Sequence, residues 1–91
     1  MPRKADTNHK QIADAFRKMG YSVADTHEHG NGFPDFIAAK DGYNHMIEVK
    51  SETGKLTPAE LRFAEKWQAP IYVIRSVEQA IQFESGVRKQ F

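Results

Sequence analysis

Asp35, Glu48 and Lys50 are the residues of this chain whose types and spacing could do chemistry. They stand as Gly32-Phe33-Pro34-Asp35, then twelve residues, then Glu48-Val49-Lys50. Between them lies Asp41-Gly42, the strongest short-range signal for a two-residue hairpin loop. With that turn Lys40 faces Tyr43, and counting back sets Asp35 directly opposite Glu48. Residues facing each other across an antiparallel pair project to the same side, and Lys50 joins them two positions beyond Glu48. Two carboxylates side by side repel, so sheet stability does not ask for them. A divalent cation between them would remove the repulsion, which is the arrangement that metal-assisted phosphodiester hydrolysis needs. Oxygen ligands favour a hard cation, Mg²⁺ or Mn²⁺. A lysine among carboxylates stays a cation by default. Lys50 therefore suits water positioning and stabilisation of charge on the phosphate better than general-base work.

The elements that must hold these residues can be read along the chain. Residues 1–7 form a short polar arm. Asn8 with Gln11 three residues on is a capping-box pattern, and Ile12, Ala15, Phe16 and Met19 then recur at helical spacing. Gly20 closes this helix, with Arg17 and Lys18 in its last turn, where cations suit the dipole. Tyr21 to Asp25 is a short strand, and Thr26 to Gly32 a polar loop. Pro34 can start a strand but not sit in mid-sheet. Asp35 to Lys40 and Tyr43 to Lys50 make the hairpin, with Ile47 and Val49 facing the core and Glu48 and Lys50 the opposite side. Thr57-Pro58-Ala59-Glu60 is a strong helix start, with Thr57 as cap, Pro58 at the first position and Glu60 at the third. Ala59, Phe63, Ala64 and Trp67 give that helix a stripe expected to be buried, and Pro70 ends it. Ile71 to Ile74 reads as a buried strand, joined to the hairpin by a right-handed parallel crossover. Ser76-Val77-Glu78-Gln79 caps a last helix carrying Ala80, Ile81 and Phe83, and residues 85–91 form a tail. The order α-β-β-β-α-β-α predicts a small mixed α/β sheet flanked by helices, one domain over residues 1–91.

Bulk properties narrow the class. With 40% apolar and 27% charged residues the chain is globular rather than disordered. The net charge of +1 does not by itself announce a nucleic-acid binder, so any basic surface must come from local clustering. The absence of cysteine excludes disulfides and thiolate metal sites. No apolar run approaches transmembrane length, and no apolar signal region follows Met1-Pro2-Arg3-Lys4, so a cytoplasmic location is expected.

Taken together, these motifs resemble the PD-(D/E)XK nuclease superfamily, and within it a stand-alone VRR-NUC domain of the bacterial and phage type. The resemblance spans roughly Asp6 to Phe83. It rests on the first helix from Asn8 to Gly20, Gly32-Phe33-Pro34-Asp35, Ile47-Glu48-Val49-Lys50, Gly54-Lys55-Leu56-Thr57-Pro58 and the strand end Val73-Ile74-Arg75-Ser76. It implies a restriction-endonuclease-like core and a metal-dependent endonuclease cutting DNA, with a preference for junctions, flaps or other branches. Asp35 and Glu48 would be the acidic metal ligands, the Val49 backbone carbonyl a third, and Lys50 the catalytic lysine. Gln11 matches a position on the first helix where many relatives carry Glu near the metal. Glu60 stands where many relatives carry Gln.

Several residues keep two readings. Gln11 serves the site or caps its helix, and Glu60 reads first as a capping-box partner. His27-Glu28-His29 has no third strong ligand at a useful spacing, which favours a solvated loop or a substrate contact through His29. Lys55 and the pair Arg88-Lys89 are candidate phosphate contacts. Phe63 and Trp67 read as core, or as core plus a dimer contact. A homodimer would extend a small footprint and place two sites on two strands, as in Holliday junction resolvases. The competing readings are a non-cleaving DNA-binding module and a dimeric accessory protein on the same fold.

Overall fold

The computed structural model of the chain describes residues 7–90. Its elements are α1 (Thr7–Lys18), β1 (Ser22–Asp25), β2 (Phe36–Lys40), β3 (Tyr43–Val49), α2 (Pro58–Lys66), β4 (Ile71–Ile74) and α3 (Val77–Glu84), in the order the sequence predicts. Of the expected polar arm, residues 1–6 lie outside the described residues, and Thr7 already belongs to α1.

The four strands form one mixed sheet in the order β1-β2-β3-β4, antiparallel except for β4, which runs parallel to β3. The hairpin has the predicted register, with Lys40 paired to Tyr43 and Phe36 to Ile47. Its turn places both Asp41 (φ 53°) and Gly42 (φ 86°) in the left-handed region, as a tight two-residue loop requires. Tyr72 bridges to Gln90, and Val73 N–H donates to the Lys89 carbonyl at 2.8 Å, so the tail covers part of the β4 edge.

The two faces of the sheet differ. Helices α1 and α3 cover one, where Ile12, Phe16, Phe36, Ile47, Ile74 and Phe83 form the core. Phe16 centres an edge-to-face cluster with Phe36, Tyr21 and Phe83 at ring separations of 5.6, 5.0 and 5.5 Å. On the other face Ala24, Ile37 and Met46 are in register, and with Ala39, Phe33 and Trp67 they line an open groove of about 530 Å³.

Two local expectations are corrected. Asn8 does not cap α1 but lies inside it. Its side-chain amide donates to the Lys50 carbonyl at 3.0 Å and the Arg75 carbonyl at 3.2 Å, so long-range partners replace the local one. The apolar stripe of α2 is not buried, since Trp67 is 42% exposed and Phe63 half-buried, and the buried residue of this helix is Glu60. The cause is where α2 sits: its aromatics meet Phe33 at 5.3 and 6.4 Å over the open face rather than the core. On α3, Ala80 and Phe83 are buried and Ile81 is exposed on the outer side. Among the described residues, no helix is long and apolar enough to cross a membrane.

Gly32 fixes the approach of the Asp35 loop to α2. Its φ is 80°, and a Cβ there would overlap the Ala59 carbonyl. Gly30 has a similar φ of 79° but open space around it. Gly32→Ala is expected to cost at least about 2 kcal/mol and Gly30→Ala about 1 kcal/mol. Denaturant unfolding of the two variants measures the difference, and equal losses would contradict the close approach.

Candidate active site

The candidate site forms at the end of the hairpin away from its turn. Asp35 lies one residue before β2, where the ladder gives way to side-chain contacts. Its amide donates to the Ile47 carbonyl at 2.9 Å, and its Oδ2 accepts the Val49 N–H at 2.7 Å. Thr26 holds this corner, its N–H donating to the Asp35 carbonyl at 2.9 Å and its hydroxyl to the Pro34 carbonyl at 2.7 Å. Glu48, in β3, is 2% exposed. Lys50, just past β3, donates its amide to the Ile74 carbonyl at 3.2 Å.

The fourth charged member comes from α2. Thr57 and Glu60 form a reciprocal capping box, with Thr57 N–H donating to Glu60 Oε1 at 2.8 Å and Glu60 N–H to the Thr57 hydroxyl at 3.2 Å. The same Oε1 takes the Lys50 ammonium at 2.7 Å, whereas Glu48 Oε2 is 3.7 Å from it. Glu60 is thus both cap and ion-pair partner, the second role being one that only the tertiary structure reveals. Lys50 is 15% exposed in its side chain and is held between two carboxylates.

Electrostatics separates these two glutamates. Burial, then the charge of Asp35 and a hydrogen bond with Glu60, push the Glu48 carboxyl up to about 10. Burial alone would raise Glu60 too, but the Lys50 ammonium and the Thr57 amide outweigh it and hold its carboxyl below the usual range. Glu48 Oε1 is buried with no hydrogen-bond partner. An orphaned carboxylate oxygen, beside a second buried carboxylate and in a site that resists negative charge, fits a bound cation.

The other sequence candidates scatter. Gln11 is exposed on α1 and points away from the buried side of the helix. The α1 residue that faces the acids is His9, 7% exposed, with its ring 5.1 Å from His27 and 5.8 Å from Phe36. The sequence signal for it was present: His9, Ile12, Ala13 and Phe16 share one helical stripe. His27 Nδ1 lies 3.3 Å from Asp35 Oδ1, so the His-Glu-His loop contributes its first histidine. His29 is exposed and lies against Phe33 at 4.5 Å. Lys55 is exposed in a loop that Arg75 anchors by donating to the Ser51 and Gly54 carbonyls, both at 2.7 Å. Lys89 is exposed on the outer edge of β4. Arg88 is drawn elsewhere, its guanidinium over Phe83 at 4.1 Å and lining a pocket with Lys40, Asp41 and Tyr43 at the turn end of the hairpin.

No family model matches the sequence, and no curated protein does. Among solved structures the chain is similar to one described as "VRR_NUC domain", with a TM-score of 0.70 and 26% identity over 85% of this chain and 89% of that one. The fold is that of a VRR-NUC nuclease domain, a small restriction-endonuclease-like α/β structure.

The cost of burying Glu48 is measurable without substrate. Its folded carboxyl titrates above its ordinary value, so in chelated buffer the folded state holds the extra proton. Stability must then fall as pH rises above about 4.5, until the folded carboxyl has itself titrated. Glu48→Gln removes that penalty and is expected to stabilise the metal-free protein by about 1–3 kcal/mol at pH 8 and by less at pH 5. Thermal unfolding of both proteins across this range checks the sign, and a variant less stable at pH 8 would contradict it.

Proposed function

We propose that the chain is a metal-dependent endonuclease that hydrolyses phosphodiester bonds in DNA, selecting branched forms such as junctions and flaps. The observation that carries this reading is the buried Asp35–Glu48 acid pair with its unpartnered oxygen and a lysine 3.7 Å away. The likeness to a VRR_NUC domain gives the pair a reaction. Asp35 and Glu48, with the Val49 backbone carbonyl, would hold Mg²⁺ or Mn²⁺. The ion supplies Lewis acidity toward the phosphate and a water of lowered pKa.

The chain's own residues do the rest. Asp35 enters already oriented, one oxygen fixed by the Val49 amide and the backbone by Thr26. Lys50 brings a positive charge beside the acid pair, where it orients the attacking water and offsets charge developing on the phosphate. Glu60 positions that ammonium, and the capping box in turn positions Glu60. Exposed Lys55, His29 and Lys89 would supply phosphate contacts outside the acid pair. A homodimer would let two such sites address two strands of a junction.

The test is a panel of labelled junction, flap, single-stranded and duplex DNA, incubated with Mg²⁺, Mn²⁺ or chelator. Cleavage is expected only with metal and preferentially on branched DNA. Asp35→Ala, Glu48→Ala and Lys50→Ala should each lower it at least about 10²-fold. Glu60→Gln keeps a capping acceptor but removes the carboxylate charge paired with Lys50, and should cost about tenfold. Tight DNA binding without cleavage in any metal would instead mark a non-cleaving module. Undiminished cleavage by the Lys50 variant would remove that residue from the chemistry.

A further inference from the structure

Two histidines that the hydrolytic reading does not use converge on Asp35 of the acid pair. His9 from the first turn of α1, His27 from the loop after β1, and Asp35 each present one donor atom, and these lie within 4.8 Å of one another. All three are withdrawn from solvent, with side chains 9%, 15% and 10% exposed. His27 Nε2 is buried with no hydrogen-bond partner, a state that buried polar atoms seldom keep. His9 is backed by a carboxylate, its Nε2 lying 3.6 Å from Asp25 Oδ2, and Asp25 Oδ1 accepts the backbone N–H of His27 at 2.8 Å. A carboxylate accepting the remote ring N–H is the usual means of orienting a metal-binding histidine, and Asp25 stands just beyond that distance.

We propose that His9, His27 and Asp35 form a binding site for a divalent transition cation of the Zn²⁺ type, adjoining the Asp35–Glu48 position and sharing Asp35 with it. The donor set selects the ion. Two imidazoles and one carboxylate suit Zn²⁺ and Co²⁺, whereas Mg²⁺ takes oxygen ligands and gives up water reluctantly. Three protein ligands also leave an open position on such an ion. Because Asp35 belongs to both positions, an ion on the histidines engages a carboxylate that the acid pair also needs. Occupancy of this site therefore bears directly on the geometry of its neighbour.

The test reads binding and not cleavage, so its outcome is independent of the nuclease reading, which Mg²⁺-supported cleavage tests by itself. Co²⁺ is titrated into the full, untagged chain in excess Mg²⁺ and followed by its visible absorption. One equivalent is expected to bind saturably. His9→Gln and His27→Gln should each weaken binding at least about tenfold, while Glu28→Gln, at an exposed position of the same loop, leaves it unchanged. In the wild-type chain, Zn²⁺ should shift the ring NMR resonances of His9 and His27 but not those of His29 and His45, which reads the site without any variant. Absence of saturable Co²⁺ binding by the wild type, wild-type affinity retained in the His9 and His27 variants, or shifts confined to His29 and His45 would each overturn the proposal.

Discussion

A carboxylate buried at the end of β3 is the constraint around which this small structure is arranged. Glu48 is 2% exposed, in a chain with too little core to absorb an uncompensated charge easily. Asp35 beside it makes matters worse, and Glu60 adds a third acid. Lys50 brings a positive charge to them, and it sits closer to Glu60 than to Glu48. Folding stability would be better served by apolar residues at these positions. A cluster that opposes stability yet is held by so many specific contacts is the pattern of a functional site.

Those contacts draw on most elements of the fold. The Asp-Gly turn sets the register that brings Asp35 toward β3. Thr26 and the tight passage of Gly32 under α2 fix the corner in which Asp35 stands. The capping box that starts α2 also delivers Glu60 to Lys50. Asn8 ties α1 to the carbonyls of Lys50 and Arg75, joining the ends of β3 and β4 where the site forms. The helix-covered face supplies the core, and the site occupies the margin between that core and α2.

Much of this was legible in the residues, for identifiable reasons. The Asp-Gly turn and the Thr-Pro-Ala-Glu helix start are local signals with strong backbone demands, and both elements appear where those signals place them. The alternation along β3 gave the facing of Ile47 against Glu48. What escaped were features decided by packing between distant segments. Asn8 has the character of a cap, but two carbonyls far along the chain outbid the local role. Phe63 and Trp67 carry helical spacing, yet spacing does not say which face of the sheet the helix will meet. His9 and His27 are separated by α1 and β1, and their approach follows only from how those elements pack. Likeness to relatives points to Gln11, which is exposed, while His9 two residues before it on α1 lies beside Asp35.

The central claim is that the buried acid pair is a cation position and not an accident of a crowded sheet end. Anomalous scattering from crystals grown with Mn²⁺ tests it most directly. The account predicts a Mn²⁺ peak within ligating distance of both Asp35 and Glu48, with the formerly unpartnered Glu48 Oε1 among the ligands. Crystals with ordered Asp35 and Glu48 side chains but no Mn²⁺ within reach of Glu48 would contradict it.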